Sequence, residues 1–286
     1  VSTDLLIFVV VVGLRLFVPL LIPRFPLPAI LAALVIDAAD QTIFQNNTDL
    51  DLTGYQGYDK ALDIYYLTIA YLSTMRNWTD PFAFGVARFL WYYRLVGVLL
   101  FELLDVRALL IIFPNTFEYF FIAYEAVRLW WNPARLNRRQ VIVMAAFIWI
   151  FVKLPQEWWI HIAQLDFTDF MKEDIFGVSI STSWGTAIGE NLWFAGLLIG
   201  ICIGISFAVR KIWQEAPAPD WPFTMDVDKT IRQREMAEER NRPPSILSWY
   251  TFEKIALVSM VTVIFAQLLP ENDNNILGTV AAVSFV

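Results

Sequence analysis

Long apolar runs, separated by short polar connections, recur along the whole chain. An α-helix of about 20 residues rises about 30 Å, which matches the hydrocarbon core of a bilayer. No run alternates apolar and polar residues as a barrel strand does. The pattern therefore predicts an all-α, polytopic helical integral membrane protein with about eight to nine transmembrane helices in one bundle. The predicted spans are 5–22, 28–45, 60–74, 81–104, 108–131, 141–162, 191–209 and 250–269, and a ninth begins at 276–286.

The connections between these runs predict three segments. Residues 1–211 would hold transmembrane helices 1–7 with acidic outer loops. Residues 212–249 begin with a proline-rich stretch and continue as DKTIRQREMAEER, which predicts a cytoplasmic linker with a short charged helix. Residues 250–286 would hold helix 8 and the start of helix 9.

Composition and charge restrict the class of protein further. Hydrophobic residues make up 57% of the chain, against about 45–50% in soluble domains. The net charge of −7 argues against a nucleic-acid partner, which needs a basic surface. Cys202 is the single cysteine, so an internal disulfide is excluded. His161 is the single histidine, so the chain cannot supply a multi-histidine zinc site.

The distribution of lysine and arginine predicts the orientation. With the start of the chain outside, the inner connections would hold Arg24, Arg76, Arg135, Arg138, Arg139, Arg210, Lys211, Lys229, Arg232, Arg234, Arg240 and Arg242. The outer connections would hold only Lys60, Arg107 and Lys172. This asymmetry predicts a multi-pass protein of the cytoplasmic (inner) membrane of a bacterium.

Four ionisable residues lie at a similar depth inside the predicted spans: Arg15, Asp37, Arg94 and Glu118. A charge at this depth costs about 2.5–3.5 kcal/mol or more, so it needs a partner or water. The simplest arrangement is two ion pairs, Arg15 with Asp37 and Arg94 with Glu118. Two interpretations remain open. The pairs fix the register of the helices, or they form part of a functional polar pathway.

A second group of polar residues lies toward the outer ends of the spans. Asp40 follows Asp37 by one turn, and Asp63 lies near the start of the third span. Glu157 and His161 are spaced i, i+4, which places them on one helical face. Asp40, Asp63, Glu157 and His161 are therefore also candidate ligands for a divalent cation. The alternative for His161, which lies near two tryptophans, is an anchor at the membrane interface.

These features favour a transporter or channel-like protein that handles a proton or small cation through a polar core open to the outer face. The candidate pathway residues are Asp37, Asp40, Asp63, Arg94, Glu118, Glu157 and His161. Membrane lipids, and protein partners within the membrane, are the expected contacts. The sequence has no Walker A motif and no nucleophile elbow, so it predicts neither a nucleotide-driven motor nor a serine hydrolase of that kind.

Two further hypotheses remain open. The acids DAADQ and DLD at the ends of early helices could hold Mg²⁺ or Mn²⁺ and provide a general base. In the position of these acids the chain resembles membrane glycosyltransferases that use polyprenyl-phosphate donors. That resemblance implies a metal-dependent transferase acting on a lipid-linked substrate at the outer face. The third hypothesis is a structural subunit of a larger membrane complex, since 12 tryptophans and 23 phenylalanines offer a large contact surface.

Overall fold

The computed structural model describes residues 3–48, 55–104, 106–163, 167–220 and 223–228, together with 252, 253, 255 and 257. All regular secondary structure in these residues is helical. The predicted all-α class is therefore confirmed for the described part of the chain. The predicted charged helix DKTIRQREMAEER, apart from its first residue Asp228, and nearly all of the last two predicted spans lie outside the described residues.

The first four helices are α1 (Thr3–Phe17), α2 (Pro26–Asn47), α3 (Tyr55–Asn77) and α4 (Pro81–Leu104). The next are α5 (Ala108–Ile112), α6 (Thr116–Arg128), α7 (Arg138–Phe147) and α8 (Leu154–Glu157). The last are α9 (Phe167–Phe170), α10 (Trp184–Glu190) and α11 (Leu192–Glu215). A widened π-helical turn at Ile148–Lys153 connects α7 to α8, and a second at Trp158–Ala163 extends α8, so that Arg138–Ala163 is one longer helical segment.

Five helical segments in the described residues are long and apolar enough to cross a membrane. They are Thr3–Leu21, Pro26–Gln45, Pro81–Phe101, Arg138–Ala163 and Leu192–Glu215. These segments match the first, second, fourth, sixth and seventh predicted spans. The larger count of eight to nine is not confirmed.

The third and fifth predicted spans differ from the expectation for separate physical reasons. Helix α3 is long, but its sequence carries Asp59, Lys60, Asp63 and Arg76, which lowers its apolar character. The fifth predicted span is divided, because α5 ends at Ile112 and α6 starts at Thr116. Proline has no N–H to donate and disrupts a continuing helix, so Pro114 between the two explains the break.

The break between α5 and α6 is held against α4. A Cβ atom at Gly97 would lie 2.1 Å from the Cβ of Phe113, so only glycine permits this close approach. The Tyr93 hydroxyl donates a hydrogen bond of 2.9 Å to the carbonyl of Ile112. Backbone carbonyls that lose their helical partners need another donor. Helix α4 thus provides both the space and a donor that the break requires.

Contacts divide the chain into two units, and each is described by itself. The first contains Val1–Leu154 and Trp221–Val286, and the second Pro155–Asp220. The core of the first unit is aromatic and lies among α3, α4 and α6. Trp78 and Tyr124 have ring centroids 4.0 Å apart, and Trp91 lies 5.6 Å from Phe117. These rings are almost completely buried, so they fix the spacing of the helices that carry the polar groups described below.

The second unit has a small core and a long apolar helix. Met171, Phe176 and Ala187 are buried together. Within this unit, α11 has no buried residue along its whole length. An all-round apolar helix with exposed side chains suits a lipid environment. The predicted segments 1–211, 212–249 and 250–286 do not coincide with the two units, and they stay a prediction based on the spans.

Candidate functional site

The Arg15 guanidinium lies at the centre of a cluster of carboxylates contributed by α2 and α3. It forms ion pairs with Asp37 and Asp40 of α2, and a third with Asp63 of α3 at 3.2 Å. The side chain of Arg15 is 3% exposed and that of Asp40 is fully buried, whereas Asp37 and Asp63 are 22% and 28% exposed. One side of this cluster, here named the Arg15 cluster, is therefore accessible.

The local sequence explains this convergence. Asp37 and Asp40 are one turn apart on α2, so both face the same neighbour. Helix α1 packs against α2 through Phe8 and Phe44, whose ring centroids are 5.9 Å apart. The planar guanidinium has five N–H donors and can serve several carboxylates at once. The structure thus forms the predicted contact of Arg15 with Asp37 and adds two acids to it.

Glu118 of α6 is the next acid that contacts α3, and its side chain is buried. It accepts a hydrogen bond of 2.6 Å from the Tyr66 hydroxyl and one of 2.9 Å from the side-chain amide of Asn115. Glu118 lies in the first turn of α6, where the helix dipole favours a negative charge. Tyr66 follows Asp63 by three residues, and Asp37 interacts electrostatically with both Asp63 and Glu118. These residues form one connected polar region.

The predicted ion pair of Arg94 with Glu118 is wrong. Arg94 instead donates a hydrogen bond of 3.1 Å to the carbonyl of Phe113. The physical reason is the break at Pro114, which leaves carbonyls at the end of α5 in need of donors. Arg94 therefore supports the break, while Tyr66 and Asn115 serve Glu118.

Two more buried glutamates contact α3 farther along its length, and the sequence analysis did not include them. Glu253 accepts a hydrogen bond from the Tyr71 hydroxyl. Glu125 accepts one of 2.6 Å from the indole N–H of Trp78 and forms an ion pair of 2.7 Å with Arg128. Glu118 and Glu125 are seven residues apart on α6, which is about two turns and gives the same face. That spacing is the signal that could have identified Glu125.

The polar contacts of α3 together form a column. Asp63, Tyr66 and Tyr71 lie on one face of α3, and Trp78, directly after its last residue, continues that face within an arc of about 140° at 3.6 residues per turn. From Asp63 to Trp78 the helix rises about 22 Å. A column of acids with their donors therefore extends along most of a membrane's thickness.

Lys153 is a buried cation of the first unit that the sequence analysis also missed. Its ammonium lies 4.3 Å from the ring centroid of Tyr119, the residue after Glu118, and its side chain is almost completely buried. It ends the first π-helical turn, and such turns are often found at functional sites. Pro155, two residues later, cannot donate a backbone hydrogen bond. This arrangement favours a locally widened helix.

At the opposite end of α3 from the Arg15 cluster, residues 223–228 attach to the turn between α1 and α2. Arg24 forms an ion pair with Asp226 at 3.1 Å, and Arg76 forms one with Asp228 at 2.5 Å. The backbone N–H of Val227 donates to the carbonyl of Arg24 at 3.0 Å. The hydrogen bond and charge of Asp226 raise the pKa of Arg24. Part of the predicted linker 212–249 is thus bound to the first unit.

In the second unit, Glu157 and His161 contact each other as their i, i+4 spacing predicts. The imidazole Nε2 lies 3.0 Å from a carboxylate oxygen of Glu157. The glutamate side chain is 6% exposed and the histidine 19%, so the pair is only partly accessible. The role of this pair in ion handling stays a prediction.

Among the described residues, no group of three or more His, Cys, Asp or Glu side chains is arranged to hold a metal ion. The four predicted ligands of a divalent cation belong to two different units. Asp40 and Asp63 belong to the first unit, and Glu157 and His161 to the second.

The fold defines a helical protein with five described helical segments long and apolar enough to cross a membrane, and with buried acids along α3. Comparison with protein-family models, with curated proteins and with solved structures finds no significant match. The function is therefore argued from the site itself.

Proposed function

We propose that this protein handles a proton or small cation through a polar intramembrane core that opens to the outer face. The observation that carries the proposal is the composition of the Arg15 cluster, in which three carboxylates share one guanidinium. Close carboxylates disfavour simultaneous ionisation in a buried site. A site of this kind gains stability when it takes up a proton or a small cation, which is the property that a transport site needs.

The Tyr66–Glu118 contact supports a route inward from this cluster. A tyrosine hydroxyl can both donate and accept, so it can pass a proton between the acids on either side of it. The buried side-chain atoms Thr116 Oγ1, in the same first turn of α6 as Glu118, and Tyr124 Oη, farther along this helix, make no hydrogen bond to the described residues. Buried polar atoms of this kind commonly bind water. Water at Tyr124 Oη would extend the path along α6 past Glu118 without using the carboxylate of Glu125, which is paired with Arg128.

The membrane topology is part of the same proposal. We propose that α3 and the α5–α6 pair cross the membrane in addition to the five apolar segments, and that two C-terminal spans bring the total to eight to nine. The charged residues of α3 are tolerable there because Asp63 pairs with Arg15 inside the bundle. The lysine and arginine asymmetry supports a bacterial inner membrane with the start of the chain outside.

Flux measurement in liposomes tests the proposal directly. The full chain is reconstituted with an internal pH dye, and proton, sodium and potassium gradients are imposed in turn. The Glu118→Gln variant keeps the shape of the side chain and an acceptor for Tyr66, but it cannot release a proton. We expect flux in the wild type and a loss of about a hundredfold or more in the variant, the size of a lost general acid–base step.

The Glu125→Gln variant is the matched control, because Glu125 lies on the same face of α6 and is buried to a similar degree. Flux that survives Glu125→Gln and is lost with Glu118→Gln supports the proposal. No wild-type flux under any gradient overturns it. Product formation that a chelator abolishes would then indicate a metal-dependent transferase, and a co-purifying membrane partner would indicate a subunit of a complex.

A further inference from the structure

A cleft of about 460 Å³ runs along one face of α4. Gly85, Phe89, Tyr93 and Val96 line it on α4, and Phe113 lines it from the end of α5. From Gly85 to Val96 the helix rises about 16 Å. The volume lies within the usual range of ligand sites, about 300–1,000 Å³. The cleft is thus elongated and apolar, and it lies within a segment apolar enough to cross a membrane.

Among the described residues that line this cleft, Arg88 is the one that carries a charge. Its side chain is 40% exposed, and its closest carboxylate oxygen among the described residues belongs to Glu253 at 3.8 Å. This distance is beyond a hydrogen bond. The guanidinium lies 5.6 Å from the ring centroid of Phe84 and makes no hydrogen bond to the described residues. An arginine within an apolar span needs acceptors for its five N–H groups.

We propose that this cleft binds an anionic glycerophospholipid, with its phosphate on Arg88 and one acyl chain along Phe89, Tyr93 and Phe113. A guanidinium binds phosphate oxygens through paired, charge-assisted hydrogen bonds. Arg88 matches the charge of the lipid phosphate, and the apolar remainder of the cleft matches the length of an acyl chain. The carboxylate of Glu253, 3.8 Å from Arg88, reduces the attraction without removing it, because this distance leaves the N–H donors available. The lipid site is argued from Arg88 and the apolar lining, so it does not rest on the proposed transport function.

Photolabelling of the full chain in vesicles tests the site. The vesicles consist of phosphatidylcholine with a trace of phosphatidylglycerol that carries a photoactivatable group in one acyl chain. The readout is the labelled peptide, identified by mass spectrometry. We expect labelling between Phe89 and Phe113, and about tenfold less of it in Arg88→Gln, as loss of a charge-assisted hydrogen bond predicts. A photoactivatable phosphatidylcholine should label this region more weakly than phosphatidylglycerol.

Gly85→Leu fills the cleft, and we expect it to remove the label. A Cβ at Gly85 meets nothing within 4 Å, and the same is true at Gly13 of α1, so Gly13→Leu is the matched control that should retain it. Arg88→Lys keeps the positive charge and should retain part of the label. That result would show that the loss of label in Arg88→Gln comes from the missing charge and not from misfolding.

Three outcomes overturn the assignment. Equal labelling by both lipids, unchanged by Arg88→Gln, would show that the headgroup is not recognised. Absence of label from this region in the wild type would show that protein fills the cleft. Stronger labelling by a photoactivatable polyprenyl phosphate would replace the glycerophospholipid with a lipid-linked substrate.

Discussion

Two buried arginine–carboxylate sites of the first unit differ in how many acids each arginine contacts. At one end of the column, Arg15 forms ion pairs with three carboxylates. Among the described residues at the other end, Arg128 pairs with one carboxylate, that of Glu125 at 2.7 Å, and its second guanidinium nitrogen donates to the carbonyl of Asn77 at 3.3 Å. Glu125 receives a further hydrogen bond from Trp78. Among the described residues, the first site therefore has three acids to one arginine, and the second has one acid to one arginine.

The difference in balance indicates a difference in role. A one-to-one pair with its hydrogen bonds satisfied gains nothing from an additional proton, so it serves mainly to hold α3 and α6 together. An excess of carboxylates does gain from a proton or a cation, and two of the three acids in the Arg15 cluster are accessible. Burial alone does not distinguish Glu118 from Glu125, because both are almost completely buried.

The largest effect is expected for Arg15→Met. This substitution removes the guanidinium that pairs with the carboxylates of the Arg15 cluster. Breaking a buried ion pair by removing one partner costs about 3–5 kcal/mol of unfolding free energy. Arg128→Met is the comparison, since Glu125 keeps its bond from Trp78 and the loss should be nearer 1–3 kcal/mol. Reversible unfolding in detergent measures both. If Arg15→Met does not accumulate, Arg15→Lys replaces it, and a loss no larger than that of Arg128→Met would contradict the distinction between the sites.

A smaller effect is expected for Glu125→Gln. The amide oxygen still accepts from Trp78, but the bond to Arg128 loses its charge, so the free energy of unfolding should fall by about 1 kcal/mol. Liposome flux should stay within about twofold of the wild type. Glu125 is paired with Arg128, so the proposed proton path does not require Glu125 to take up or release a proton. Flux and unfolding are measured on the same preparation. Loss of flux as complete as in Glu118→Gln would make Glu125 part of the path and remove the contrast.

Much of the helical architecture could be predicted from apolar run length. Predictions failed where tertiary contacts determine the outcome. The span 108–131 reads as one apolar run, but Pro114 breaks it, and α4 compensates by donating hydrogen bonds to the freed carbonyls. The length of an apolar run does not reveal these hydrogen bonds between helices. The column on α3 was also hidden, because α3 appears only moderately apolar in sequence while its polar side chains find partners on other helices.

Part of the candidate site could be predicted by counting depth along the spans. That count placed Arg15 beside Asp37, which the structure contains, and Arg94 beside Glu118, which it does not. Depth gives the level of a residue in the bundle but not the direction in which its side chain points. The i, i+4 rule was more reliable for Glu157 and His161, because one helix determines both position and direction.

The smallest effect is expected for Arg24→Gln, which removes an ion pair at the surface. Arg24 is 58% exposed, so water and salt screen its attraction to Asp226. The backbone hydrogen bond from Val227 to Arg24 does not depend on the side chain. Unfolding in detergent at low and high salt should show no measurable change in the midpoint.

The pH dependence of this pair sharpens the expectation. Asp226 raises the pKa of Arg24 above an already high ordinary value. A group whose pKa rises on folding contributes stability at every pH below its unfolded value and loses it only as the pH rises through the folded value. Its contribution is therefore constant across neutral pH, and the wild type and Arg24→Gln should give parallel stability curves between about pH 6 and 9. Curves that diverge in this window, or a marked loss at high salt, would make Arg24 a main attachment point of residues 223–228.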